Sequence, residues 1–77
     1  MTRDHKAIAR MRMQQHLHRA LDAADDAAID LRQIDTLIDA GGFRHSDAEH
    51  VLALLAASTV QIHAAMTEAS RSGLELE

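Results

Sequence analysis

Residues 51–66 read Val-Leu-Ala-Leu-Leu-Ala-Ala-Ser-Thr-Val-Gln-Ile-His-Ala-Ala-Met, a stretch that contains no Asp, Glu, Lys or Arg. Two stripes of apolar or small side chains run along it at helical spacing. A surface helix normally has one such stripe, and a helix that is apolar nearly all round needs burial on most sides. One neighbouring helix cannot supply that burial, so the stretch predicts self-association. The first stripe is Ala48, Leu52, Leu55, Thr59, Ile62 and Met66, and the second is Val51, Leu54, Ala57 or Ser58, Gln61 and Ala65.

A capping box predicts where the helix that contains this stretch begins. Ser46 is placed to cap the amide of Glu49, and the Glu49 side chain is placed to reach back. The helix is therefore expected to cover residues 47–71, with Gly73 just past its end.

The chain before the capping box predicts one long helix over residues 3–40. No Gly or Pro interrupts these residues, and good helix formers dominate them. Thr2 or Asp4 is a candidate cap for its start. Gly41 or Gly42 can adopt the left-handed conformation that ends a helix, with Phe43 folding back on Ile38.

The short connection between the two helices favours an antiparallel hairpin. A second helix of this length would pair with residues 15–40 of the first and leave residues 3–14 as an overhang. Such an overhang is not stable as an isolated helix in water, which again favours a partner chain. We expect one domain over residues 1–75, with residues 76–77 as a possible vector-derived tail.

Length and composition also favour a second copy of the chain. With 77 residues, one Phe and no Trp or Tyr, and with much of its apolar content in Ala, the chain has a thin core. It has no Cys, so no disulfide can compensate. The predicted fold is all-α: a helical hairpin that forms a homodimeric, antiparallel four-helix bundle with the second helices near the centre. The predicted dimer core is Leu17, Leu21, Leu31, Ile34, Ile38, Leu52, Leu55, Ile62 and Met66.

Charge is unevenly distributed along the chain. Residues 1–20 carry a net charge of +4 and residues 21–77 a net charge of −8. This order opposes the helix dipole, so it has no local cause. It would orient an antiparallel two-fold dimer, or it is simply the gradient of a solvated polar face. The basic residues are possible contacts for a partner or for phosphate: Arg3, Lys6, Arg10, Arg12 and Arg19.

The chain shows little sign of catalytic or metal chemistry. No two of the six His have the i, i+4 spacing of a zinc helix, and the best metal candidate is His18 with Asp22 and Asp25. The alternative interpretation is that these are surface polar residues. No phosphate-binding glycine loop or activated nucleophile is present. We therefore predict a protein that is not an enzyme and that uses no cofactor.

The expected function is a small protein–protein interaction module, an adaptor or regulator that acts as a homodimer and binds another protein.

Residues 51–67 are only at the lower limit for a membrane span and include polar side chains, and no signal peptide is recognisable, so we expect a cytoplasmic protein without a membrane contact. The strong preference for Arg over Lys favours a bacterial or phage origin. The alternative is a nucleic-acid-associated regulator that uses the basic first helix, although the chain is net −4 and has few aromatic side chains for base stacking.

Overall fold

The chain folds into two helices that lie side by side in opposite directions. The computed structural model describes residues 4–76, in which helix α1 spans His5–Asp39 and helix α2 spans His45–Ser72. The hairpin is a rod with extents of 63 × 20 × 18 Å. The prediction of an all-helical hairpin is confirmed, and the helix bounds lie within two residues of those expected.

The start of α1 is capped by Asp4, whose side chain accepts hydrogen bonds from the backbone N–H groups of Lys6 and Ala7 at 3.0 and 3.2 Å. This satisfies two of the amides that a helix start leaves without partners. Thr2, the other candidate cap, lies outside the described residues.

The end of α1 is the Schellman closure that the glycine pair predicts. Gly41 adopts a φ of 87°, a left-handed value that favours glycine. The N–H of Gly41 donates to the carbonyl of Ile38 at 2.9 Å, and the N–H of Gly42 donates to that of Leu37 at 2.8 Å. The helix therefore stops for a local reason. Gly73, in the same left-handed conformation, follows the end of α2 as expected.

The start of α2 differs from the expectation, because the capping box does not form. The helix begins at His45, two residues early, and its first residues make no side-chain cap to the backbone. The Arg44 Nε donates to Asp47 at 3.1 Å, and the Glu49 carboxylate contacts the His45 ring at 3.1 Å instead of reaching back. Since this end of α2 is exposed, water can satisfy the free amides, and Asp47 in the first turn is favourable next to the helix dipole.

The expected overhang at the start of α1 is also wrong. Ala9 near the start of α1 and Ala69 near the end of α2 are both buried. The Ser58 Oγ donates to the Ala20 carbonyl across the two helices, so Ser58 lies level with Ala20. Counting from that contact, α2 begins level with about residue 33 of α1 and ends level with about residue 6. The connection thus runs back beside the last turn of α1, which shifts α2 toward the start of α1.

The contact between the helices, called the seam below, is built from small side chains. On each helix three of the buried residues recur at every seventh position, the repeat of a coiled coil: Ala20, Ala27 and Ile34 on α1, and Val51, Ser58 and Ala65 on α2. Alanine and serine allow the two backbones to approach closely, as the 3.2 Å bond from Ser58 to Ala20 shows. The Ser58 hydroxyl therefore bonds across the seam, whereas the hydroxyl of the neighbouring Thr59 bonds within α2 to the Leu55 carbonyl at 3.0 Å. The buried residues are Ala9, Ala20, Ala27, Ile34, Val51, Ser58, Ala65 and Ala69.

Candidate interaction surface

Of the two stripes on α2, the hairpin buries the less apolar one. The stripe that contains Val51, Ser58 and Ala65 faces α1. The other stripe remains in solvent: Leu52 is 65% exposed and Leu55 is 43% exposed. The seam therefore leaves the larger side chains of α2 without a partner. The exposed stripe, called the α2 stripe, comprises Leu52, Leu55, Thr59, Ile62 and Met66.

The first helix shows the same arrangement. The face that contacts α2 is formed mainly by alanine, while Leu17, Leu21 and Leu31 are about half exposed. Of the nine residues predicted as a dimer core, Ile34 is buried inside the hairpin and the other eight are exposed. The single chain therefore does not use most of its large aliphatic side chains for its own core.

The two exposed stripes lie on the same side of the hairpin. In an antiparallel coiled coil, the side chains that flank the seam on one side occupy the same position of the seven-residue repeat in both helices. A groove of about 380 Å³ between the helices shows this directly, because Leu31 of α1 shares it with Leu52 and Leu55 of α2. Phe43, 56% exposed, lies at the loop end of the groove. This side of the hairpin is called the apolar face below.

Four polar contacts cross the seam and set its register. The His16 Nδ1 lies 2.7 Å from the Gln61 Oε1, a partly buried hydrogen bond. These two residues stand near the middle of a seam of small side chains. The other three contacts are the Ser58–Ala20 bond, the Arg12–Glu68 ion pair at 3.6 Å and the His50–Asp30 pair at 3.4 Å.

The candidate metal residues do not form a site. His18, Asp22 and Asp25 are all exposed on α1. Within residues 4–76, no group of three or more His, Asp or Glu side chains is arranged to hold a metal ion. His63 on α2 is exposed as well.

The basic residues predicted as partner or phosphate contacts are exposed on α1 wherever the structure describes them. Arg12 forms an ion pair with Glu68 at 3.6 Å and is still 63% exposed. Lys6, Arg10 and Arg19 are exposed. Arg3, the remaining predicted contact, lies outside the described residues.

A second concavity lies on the other side of the hairpin, near the loop, and none of its lining residues was among the predicted site residues. It has a volume of about 450 Å³ and is lined in part by Ile29, Arg32 and Arg44. Arg32 and Arg44 are the only basic residues between positions 21 and 57, a segment with eight acidic residues. That isolation of two arginines in an acidic region was the available signal. The lining is completed by Gln33, Thr36 and Leu37.

One helix within the described residues, α2, is long and apolar enough to cross a membrane by length and composition alone. Only 17% of its most apolar window is buried in the hairpin.

Comparisons with known protein families, with curated protein sequences and with solved structures find no match to this chain.

Proposed function

We propose that this chain is a small, non-enzymatic protein–protein interaction module of the cytoplasm, an adaptor or regulator that acts as a homodimer. The observation that carries the proposal is the apolar face, on which both helices expose large aliphatic side chains along the rod. Large exposed apolar patches mark protein–protein or membrane interaction sites, and the polar and charged residues that the chain places on the rest of α1 favour a protein partner. A second copy covers the face and completes a four-helix bundle.

The surface area of the hairpin supports a partner of this size. The chain of 8.5 kDa has a solvent-accessible surface of 6115 Å². A compact monomer of that mass is expected to expose about 4,700 Å². The excess is on the order of 1,400 Å², whereas a standard stable interface buries about 800 Å² on each partner. The hairpin therefore has enough spare surface for a stable dimer.

The concavity around Arg32 and Arg44 is the proposed contact for the other protein. It lies on the side away from the apolar face, so a dimer leaves it accessible. Ile29 and Leu37 supply apolar lining, and the Arg44 side chain is held by a hydrogen bond from its Nε to Asp47 at 3.1 Å. Guanidinium groups next to an apolar surface suit a segment that carries a carboxylate beside an aliphatic side chain.

Two matched variants test the homodimer. Leu55→Asp places a charge in the groove of the apolar face, and Val60→Asp places the same charge on the other side of α2, where Val60 is 64% exposed. We expect Leu55→Asp to dissociate the dimer and to lose most of the helical signal, since burying an unpaired charge is costly. Val60→Asp should remain a dimer. Light scattering with circular dichroism reports both properties. A Leu55→Asp protein that keeps the mass and helicity of the wild type, or that is a fully helical monomer, would refute the proposal.

A gel-shift series in salt separates this proposal from the nucleic-acid alternative. Binding through phosphate contacts weakens steeply as salt rises. We expect no shift of duplex or single-stranded DNA even at low salt. A shift that disappears with salt, and that is lost in Lys6→Gln combined with Arg10→Gln, would favour the alternative.

A further inference from the structure

The exposed stripe of α1 fits against the same stripe of a second copy that runs in the opposite direction. Its midpoint falls between residues 22 and 23. Reversed about that point, Leu21 comes opposite Ala24 and Leu17 comes opposite Ala28, so the two central leucines each meet a small side chain. Leu31 comes opposite Gln14. The stripe, called the α1 stripe, comprises Arg10, Gln14, Leu17, Leu21, Ala24, Ala28, Leu31 and Asp35, all exposed except the half-buried Ala24.

We propose that the apolar face is covered by a second copy whose long axis runs in the opposite direction, with α1 packed on α1 and α2 packed on α2. This inference rests on the homodimer proposed above and defines its geometry. A two-fold axis crosses the face at the midpoint of the α1 stripe. Large-to-small pairing of this kind allows two helices to interdigitate without voids.

The same axis also gives matched pairs on α2. The position of the axis was derived from α1 alone, so the α2 pairs are independent support. The Ser58–Ala20 bond fixes the height of α2 relative to α1. The level of residues 22–23 on α1 corresponds to about residue 55 on α2. Leu55 then lies within about half a residue of the axis, next to Leu55 of the second copy, and Leu52 meets the smaller Thr59 of the second copy. The two helices thus satisfy one symmetry operation, as an isologous interface requires.

Charge favours this direction over the parallel one. The half of the rod that holds the termini, residues 4–20 and 58–76, has five bases against three acids, a net of +2. The loop half, residues 21–57, has two bases against eight acids, a net of −6. Opposed copies place unlike halves together, whereas parallel copies place the two −6 halves side by side. Electrostatic complementarity of this kind determines orientation more than affinity.

The ends of the α1 stripe show the same complementarity at the level of single residues. Arg10 and Asp35 are the charged members of the stripe, both exposed, and neither forms an ion pair among the described residues. They stand at equal distances from the midpoint. In the opposed dimer, Arg10 of each copy meets Asp35 of the other, which gives two symmetric ion pairs.

Cysteine cross-linking tests the arrangement directly, because the chain has no cysteine of its own. Under mild oxidation, we expect Leu55→Cys to form a covalent dimer in high yield, since the residue lies next to the two-fold axis. Val60→Cys, more exposed but on the other side of α2, should remain uncross-linked. In a parallel dimer the two Leu55 positions lie diagonally across the bundle, beyond the reach of a disulfide.

Charge reversal supplies a readout that does not depend on oxidation. Arg10→Asp should raise the dissociation constant of the dimer about five- to thirty-fold, because it turns two weak attractions into repulsions. Combining it with Asp35→Arg should restore the wild-type value. Sedimentation measures each constant, with Arg19→Asp as the control at an exposed base outside the stripe.

The outcomes separate this inference from the function on which it rests. A wild-type dimer in which Leu55→Cys does not cross-link and charge reversal has no effect overturns the geometry but leaves the homodimer intact. A wild type that is monomeric throughout overturns both. A monomer that binds phosphatidylglycerol vesicles through the apolar face would assign the face to a lipid surface and so contradict the second copy.

Discussion

Small residues determine how the two helices of the hairpin pack against each other. Ala20, Ala27 and Ala65 are buried in the seam, where a larger side chain would push the helices apart. Because alanine buries little apolar area, each hairpin gains little hydrophobic free energy from its own fold. The large side chains, such as Leu52 and Met66, are left on the outside. Alanine therefore forms the core of the hairpin and is also the reason why the large side chains are left for the proposed second copy to cover.

The two adjacent glycines of the loop should respond differently to the same change. Gly41 has a φ of 87°, so Gly41→Ala should destabilise the protein by about 1–2 kcal/mol. Gly42 has no left-handed φ, and a Cβ there would meet the Leu37 carbonyl at an ordinary 3.7 Å. Gly42→Ala should be neutral or stabilise by up to about 1 kcal/mol, since it restricts the unfolded chain. Urea denaturation at equal protein concentration compares them, and equal effects of the two changes would contradict the proposed closure.

At the level of helices, the sequence predicted which segments are helical but not which faces meet. The long run without Gly or Pro and the Gly41–Gly42 pair predicted α1 and its end, and both are confirmed. The seam was missed because two stripes at equivalent spacing compete on each helix, and hydrophobicity favours the leucine stripe. Close approach of the backbones favours the alanine stripe instead. That preference depends on how the surfaces of the two helices fit together, and the periodicity of a single helix gives no information about that fit.

The error in the predicted register has a related cause. Counting helix length from the loop paired the end of α2 with about residue 15 of α1, whereas Ala69 is buried near Ala9. The connection occupies space beside the last turn of α1, and that displacement is not visible in the lengths. The capping box failed for a different reason, because an exposed helix start can be satisfied by water.

The His16–Gln61 hydrogen bond should stabilise the register of the two helices, and the effects of substituting its two partners should not be additive. Gln61→Leu leaves the partly buried His16 ring without its partner, and we expect a loss of about 1 kcal/mol in the free energy of unfolding. Adding His16→Leu removes the unsatisfied group, so the double variant should recover that loss or exceed the wild type. Urea denaturation of the four members of this double-mutant cycle measures the coupling. Additive effects of the two substitutions would argue against a bond in solution.

At the level of the whole molecule, three properties agree on one assembly. The rod of 63 × 20 × 18 Å has a long apolar face, halves of opposite charge, and a stripe on α1 that fits its own reverse. The concavity lined by Arg32 and Arg44 depends on the fold, since the two arginines line it together only when the loop folds back, and their isolation among acidic residues is its only trace in the sequence. The metal candidate around His18 illustrates the opposite case, a sequence pattern that the fold does not assemble.

The central claim is that the hairpin is complete only with a second copy, and the mass of the untagged protein in solution tests it most directly. Sedimentation equilibrium over a wide range of concentrations should give about twice the chain mass of 8.5 kDa, with a monomer appearing only on strong dilution. A compact, fully helical species of 8.5 kDa at every concentration would contradict the account.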